Sequence, residues 1–421
     1  MTRPPFNPLL WPLAVALSQE PWTAQAIKSR LAQHLPPLFN TSLPAAARHL
    51  LSHLPGPTTP DPKAILTALR RSALADRLRQ FRRRTGQIPA PIWTPTPFRP
   101  TEALAALPIP RLTTTTDLAE WLAVSPDQLT LLADPIGLSA RNLNPYAQNY
   151  LHHRIPKSDG TQRLIEEPRP LLKRTQRRIL SGILNLVPPH PAAHGFTLGR
   201  SAAMAAAKHC GEAMVVTFDL QDFFPSIRFA RIYAIFRALG FPRATALPLT
   251  QICTAWPNAA YTTRHLPQGA PTSPALANLA ALRLDARLSG LARSMDATYT
   301  RYADDLTFSG DAPITALLTI VPQIIRAEGF TPNPHKTRAQ PAQRNQTVTG
   351  ITVNHHLNLN RRAYDRLKAQ IHNLAKAPPD PASLAHLDGR IQWAEQLNPA
   401  RAHRLRTAFT ARTVAPAPAF P

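Results

Sequence analysis

Two adjacent carboxylates, Asp304 and Asp305, lie between two stretches that favour the extended chain, and this pairing limits the possible folds more than any other feature. Tyr299-Thr300-Arg301-Tyr302 precedes them and Leu306-Thr307-Phe308-Ser309 follows. Both stretches are rich in the β-branched and aromatic residues that suit a pleated, half-buried surface. The pattern predicts a β-hairpin with Ala303-Asp304-Asp305 at or near its turn. Taken alone, the pair would be an ordinary solvated turn, since Asp is common there. A third carboxylate points elsewhere. Asp219 closes Ala213-Met214-Val215-Val216-Thr217-Phe218, a short apolar run of the kind that forms a buried strand. Two strands delivering carboxylates to one sheet edge make a hard, all-oxygen site suited to Mg²⁺. Two such ions about 3.5–4 Å apart can activate an attacking hydroxyl and stabilise the leaving oxygen of an in-line displacement. Nucleotidyl transfer needs that chemistry.

The charge balance names the kind of partner. The 421 residues hold 48 Lys and Arg against 24 Asp and Glu, a formal charge of +24. A polyanion is the natural counterpart, bound with an affinity that falls steeply with salt. Cys210 and Cys253 are the only cysteines, too few for a framework of bridges, which fits a reducing cytoplasm. The apolar run at residues 8–17 is short, interrupted by Pro12 and preceded by a single basic side chain, Arg3. It reads as a buried or interfacial helix rather than a signal peptide, and no stretch approaches the length of a membrane span. The 15 histidines show no metal-ligand spacing.

Along the chain, residues 1–88 read as a basic, mostly helical extension. One helix is expected from Trp22 to Leu35. A second is expected from Lys63 to Arg84, with Ile65, Leu66, Leu69, Leu74, Leu78 and Phe81 on one face. The second carries eight Lys and Arg against one acid, Asp76, which is either a solvated face or a contact for an RNA backbone. Residues 89–116 are proline-punctuated and read as an extended linker. Two short helices follow, Asp117 to Ala123 and, behind a Ser125-Pro126 cap, a second to Ala133. Asn149 to Pro168 reads as a basic hairpin turning at Ser158-Asp159-Gly160. Leu171 to Leu184 reads as a basic helix. Between Arg361 and Arg412, helical stretches carry ten Lys and Arg against four acids. Residues 413–421 read as a flexible tail.

Three segments together carry a family resemblance. Phe218-Asp219-Leu220-Gln221-Asp222-Phe223-Phe224-Pro225-Ser226-Ile227 resembles the first catalytic motif of reverse transcriptases, and Tyr302-Ala303-Asp304-Asp305 the second. Leu266-Pro267-Gln268-Gly269-Ala270-Pro271-Thr272-Ser273-Pro274, between them, is similar to the nucleotide-pocket motif. Val348-Thr349-Gly350 and the wording around the Asp pair resemble bacterial retron reverse transcriptases in particular. The resemblance spans about residues 117–412. It implies an α+β right hand: fingers and an antiparallel-sheet palm over 117–345, then the Val-Thr-Gly region and a helical thumb over 346–412.

The resemblance also assigns roles. Asp219, Asp304 and Asp305 would hold two Mg²⁺, helped by the Leu220 carbonyl, while Asp222 would be structural. Arg163 and Lys157 would contact the incoming triphosphate; a planar guanidinium binds phosphate oxygens in pairs. Phe224 stands where the family places an aromatic gate against the ribose 2′-OH, with Phe223 as the core phenylalanine. Gln268 and Gly269 would lie by the nascent base pair, and Lys336 near the pyrophosphate. Val348, Thr349 and Gly350 would help bind a cognate structured non-coding RNA, at once template and primer. The resemblance further implies dNTP substrates, an RNA-branched DNA product, and a separate effector protein in defence against phage. One departure stands out: the family's Asn-Ala-x-x-His reads Ala205-Ala206-Ala207-Lys208-His209 here, keeping the histidine and losing the asparagine. A group II intron-like enzyme is an alternative. Against it, the short stretch after Gly350 shows no His/Cys nuclease constellation. A catalytically silent RNA-binding protein of the same fold is a further alternative.

Overall fold

In a computed structural model of the chain, the described residues are 10–18, 21–56, 60–85, 98–135, 137, 148–156, 160–258, 261–311, 314–374 and 380–413. They divide into two compact units, Met1–Thr96 and Pro97–Pro421. Five α-helices form the first: Trp11–Leu17, Ala24–His34, Leu43–His53, Pro62–Arg70 and Ala73–Thr85. Leu31, Phe39, Leu50, Ile65, Leu69 and Leu78 share one apolar cluster there. The apolar run at residues 8–17 contributes Leu13, Ala14 and Leu17 to that cluster. The helix expected from Lys63 to Arg84 is two helices. Ser72 breaks it: the buried hydroxyl donates to the Leu69 carbonyl at 2.6 Å and accepts from the Ala75 amide at 3.3 Å. Such local bonds offer the backbone an alternative to the helical ladder.

The linker expected over 89–116 needs correction. Residues 89–97 lie outside the described residues, but from Phe98 onward the chain is packed into the second unit. The Arg99 and Thr101 amides donate to the carbonyls of Gly240 and Ala238, each at 3.0 Å. Phe98 meets Phe241 edge-on at 5.3 Å, and Ile109 and Leu112 enter the main core. Proline-rich backbone that finds carbonyl partners for its remaining amides and a core for its apolar side chains is ordered structure.

In the second unit, helices Thr115–Leu122 and Pro126–Ala133 each open on a capping box, Thr114 with Asp117 and Ser125 with Gln128. Strands β1 (Tyr150–Pro156) and β2 (Gln162–Pro168) pair antiparallel as the expected hairpin, followed by helix Pro170–Gly182. The central sheet contains β3 (Met214–Asp219), β4 (Thr298–Tyr302), β5 (Asp305–Gly310) and β6 (Arg338–Pro341), in the order β4-β5-β3-β6 and antiparallel throughout. Both faces of β3 are covered near its start. Val216 and Phe218 face the main core with Leu306 and Phe308; Val215 faces a smaller cluster with Ala206, Val348, Ile351 and Val353. A strand buried on two sides reads as a continuous apolar run, which is how residues 213–218 read. Helices Phe229–Ala238, Arg243–Ile252, Ser273–Ala280, Leu282–Ser294 and Ile314–Ala327 also contribute to the main core, beside the three helices already described.

A small sheet, β7 (Thr347–Val348), β8 (Ile351–Thr352) and β9 (Asn358–Leu359), follows. Its first turn is Thr349-Gly350, with φ of 49° and 81°, the double left-handed geometry that suits a two-residue hairpin. Three helices, Arg361–Asn373, Pro381–Leu397 and Pro399–Thr413, then close around Leu367, Ile371, Leu387, Ile391, Leu405 and Phe409. Arg406 ties two of them through Asp388 and Glu395. The architecture is α+β, as expected, with a protruding hairpin, a four-stranded antiparallel sheet backed by helices, and a terminal helical bundle. The tail beyond Thr413 lies outside the described residues.

Candidate active site

Register brings the carboxylates together. Asp219 and Asp305 are direct partners across the β3–β5 ladder, so their side chains leave the same face of the sheet, with Cβ atoms roughly 4.5–5.5 Å apart as in any such pair. Tyr302 pairs with Asp305, which leaves Ala303 and Asp304 as a two-residue turn. Ala303 adopts φ of 57°, uncommon for a side chain with a Cβ. Two bonds secure the turn. The Leu220 amide donates to the Asp304 carbonyl at 3.0 Å, and Arg301 Nη1 donates to the Ala303 carbonyl at 3.1 Å.

Asp219 is buried and held on both oxygens. Lys336 Nζ lies 2.8 Å from Oδ1 and Asn333 Nδ2 lies 3.1 Å from Oδ2. The Asn333 amide also donates to the Asp219 carbonyl at 2.8 Å. Burial raises the Asp305 carboxyl to about 6, reinforced by the negative charges of Asp304 and Asp219 and opposed by Lys336 and Arg338. Burial likewise raises Asp304; Asp219 adds to the shift, and Lys336 and Arg163 oppose it. Hard oxygen donors that repel one another are the donor set a divalent cation neutralises. Among the described residues, no three His, Cys, Asp or Glu side chains converge on one point as a finished metal shell. The three carboxylates therefore share a sheet end, with Asp219 turned to Lys336 and Asn333.

Other expected site residues fall around this centre. Arg163, on β2, is exposed, and its positive charge is felt at Asp304. Lys157 lies outside the described residues. Phe223 is in the core and Phe224 half-buried, their rings 5.6 Å apart. Gly269 makes a close backbone approach, and its neighbour is the β1–β2 hairpin. A Cβ there would sit 2.8 Å from the Glu166 carbonyl oxygen, and φ is 134°. The Glu166 amide donates to the Gln268 carbonyl at 2.8 Å, so this loop is where β2 docks. Val348 needs correction as an RNA contact: it is 1% exposed, within an apolar cluster. Thr349 and Gly350 do reach the site. With Asp219, Tyr302, Asp305 and Lys336 they line a cleft of about 360 Å³.

Sequence reasoning missed the buried polar framework behind these groups. Arg301, fully buried, grips the equally buried Asp285 with Nε to Oδ1 at 2.8 Å and Nη2 to Oδ2 at 2.7 Å. Tyr299 donates to the same carboxylate at 2.9 Å, and Arg301 Nη1 also reaches Asn278 Oδ1 at 3.0 Å. Glu166 is buried too. Burial works to raise its carboxyl, but the imidazoles of His152, 3.7 Å away, and His265, hydrogen-bonded at 2.9 Å, outweigh it and hold the pKa below the usual range. His209 bridges the two strands of the Asp304-Asp305 hairpin, 2.7 Å from Ser309 Oγ and 2.7 Å from Thr300 Oγ1. Ala205, standing where the family has asparagine, is fully buried. The only hint of this framework in the sequence was charge inside an otherwise apolar strand, at Arg301.

Carboxylates at the end of antiparallel strands, beneath a basic hairpin and before a helical bundle, define the palm of a template-directed nucleic-acid polymerase. The model of the family described as reverse transcriptase (RNA-dependent DNA polymerase) matches residues 155–353. The chain is 41% identical over 296 residues to the retron Mx65 reverse transcriptase of Myxococcus xanthus, covering 65% of this chain and 69% of that one. It is 37% identical over 314 residues to the retron Mx162 reverse transcriptase of the same organism, covering 65% of each. To the retron Ec86 reverse transcriptase of Escherichia coli it is 35% identical over 215 residues, covering 50% of this chain and 65% of the other. The chain belongs to the retron reverse transcriptases.

Proposed function

We propose that this RNA-directed DNA polymerase copies a cognate structured non-coding RNA into single-stranded DNA. Synthesis starts from an RNA 2′-hydroxyl, so the product stays joined to RNA by a branch. The reaction takes place in the cytoplasm and serves anti-phage defence together with a separate effector protein. The catalytic part of this reading rests on one observation, the Asp219–Asp305 register beside the Asp304 turn.

Asp219, Asp304 and Asp305 are the residues that would hold two Mg²⁺, which supply charge neutralisation and a more acidic attacking hydroxyl. The remaining work falls to the chain's own side chains. Arg163 steers and orients the triphosphate from the fingers, its charge already coupled to Asp304. Lys336, whose pKa is raised chiefly by its bond to Asp219, keeps its proton and is placed to give it to departing pyrophosphate. Phe224 excludes a 2′-hydroxyl by bulk. Thr349 and Gly350, at the cleft, contact the cognate RNA.

Asp304→Asn tests the assignment. It is expected to lower primer extension on an RNA template by at least about a thousandfold, the scale of losing an electrostatic centre in the transition state, while RNA affinity changes little. Extension within tenfold of the parent would remove Asp304 from the chemistry.

A further inference from the structure

Residues 192–197 are fastened to the catalytic hairpin more firmly than a surface loop needs. The His194 amide donates to the Arg301 carbonyl and the Arg301 amide to the Ala192 carbonyl, each at 2.8 Å. The Gly195 carbonyl accepts from buried Asn278 at 3.0 Å, and Asn278 in turn accepts from Arg301. A Cβ on Gly195 would lie 2.5 Å from the Ala303 nitrogen, so this backbone passes directly over the turn that carries Asp304. The residue presented next is Phe196, with φ of 60°. A bulky side chain in the left-handed region is a strained conformation that persists only when its surroundings impose it. The residue is also 47% exposed, so the strain is not offset by burial. Strain and exposure coincide beside the reacting turn.

The ring it touches is Phe224. The Phe196 and Phe224 centroids are 5.8 Å apart with planes tilted by 57°, and Phe223 lies 5.6 Å from Phe224. Phe223 is fixed in the core, so Phe224 has a rigid neighbour in the core and a second, more exposed one in Phe196. Phe224 sits on a helix of only four residues, Phe223–Ser226, which gives the ring little support of its own. A steric gate discriminates only as well as it resists being pushed aside.

We propose that Phe196 is a specificity-determining residue, the outer wall that holds the Phe224 ring against the ribose 2′ position. Sugar selection then depends on a pair of aromatics, one of them mounted on the segment hydrogen-bonded to the hairpin that carries Asp304. The inference rests on the reading of Phe224 as the gate, and its test separates the two.

The measurement is kcat/KM for a dNTP and for the matching rNTP, with the full chain on a primed RNA template, for Phe224→Ala, Phe196→Gly and Phe196→Tyr. Glycine removes the ring and also relieves the positive φ, so failure to fold does not confound the result; a thermal melt checks this. Phe196→Gly is expected to raise relative rNTP use by roughly tenfold, chiefly through a lower KM for the rNTP, as a loosened pocket wall does. Phe196→Tyr, which keeps the ring, is expected to restore discrimination. If Phe224→Ala relaxes sugar choice and Phe196→Gly does not, the inference fails and the gate stands. If neither relaxes it, the gate reading falls and takes the inference with it. A Phe196→Gly chain that binds primer-template more weakly at an unchanged sugar ratio would make Phe196 a nucleic-acid contact, which also overturns the inference.

Discussion

Single residues decide whether the Ala303-Asp304 turn keeps its shape. Arg301 and Asp285 are both fully buried and doubly hydrogen-bonded, so removing one partner strands a charge in the core, at about 3–5 kcal/mol. Asp285→Asn is therefore expected to lower thermal stability sharply and abolish extension. Replacing both by apolar residues, Arg301→Met with Asp285→Leu, is expected to recover much of the stability but not the activity, because nothing then holds the Ala303 carbonyl. A double variant that polymerised normally would reduce the pair to packing. His209 makes a pH-dependent contribution. Burial depresses its pKa from 6.5 to about 3, so between those values the unfolded chain binds a proton that the folded chain refuses. The associated stability is complete above pH 6.5 and is lost as pH falls through that window, by about 2 kcal/mol between pH 7 and pH 5. Urea titrations at the two pH values should show this loss in the parent and a smaller one in His209→Gln. Asp219, Asp304 and Asp305 were legible as a candidate site because carboxylates in a strand-like context are rare. Asp285 was not, since an acid in a helical stretch looks solvated until the fold places Arg301 against it.

Elements carry these residues, and their edges were easier to read than their dockings. Hairpin β1–β2, the Asp-Asp hairpin and the capped pair after Thr114 follow from alternation, turn residues and caps, all local signals. Long-range contacts leave no such signal. Gly269 was placed by its motif beside the nascent base pair, and only the fold reveals Glu166 of β2 as its neighbour. Val348 read as part of an RNA-binding tripeptide, whereas alternation in β7 sends it into the core and leaves Thr349-Gly350 as the tip. The docking of β2 predicts that Gly269→Ala displaces the fingers hairpin: a Cβ at 2.8 Å from a carbonyl forces a shift, and φ of 134° strains any side chain. Because Arg163 rides on β2, the variant should raise KM for dNTP by about tenfold or more, with RNA affinity nearly kept. An unchanged KM would show that the hairpin and the nucleotide site are not linked through this contact.

At the scale of the whole molecule, charge and cores divide the labour. The first unit has its own apolar cluster, and its helix Ala73–Thr85 ends on Arg82, Arg83 and Arg84. The second unit holds the four-stranded sheet that carries Asp219 and Asp305. A net charge of +24 favours any nucleic acid, so it confers attraction without choice; selection of one template needs shaped contacts as well. The most direct measurement is to express the gene with its native flanking DNA, beside an Asp304→Asn/Asp305→Asn control, and to isolate short single-stranded DNA. An RNA-branched DNA present with the parent and absent from the control is the predicted result. Extension of ordinary primers on RNA with no branched product in cells would contradict it, leaving a reverse transcriptase that does not prime from its own RNA.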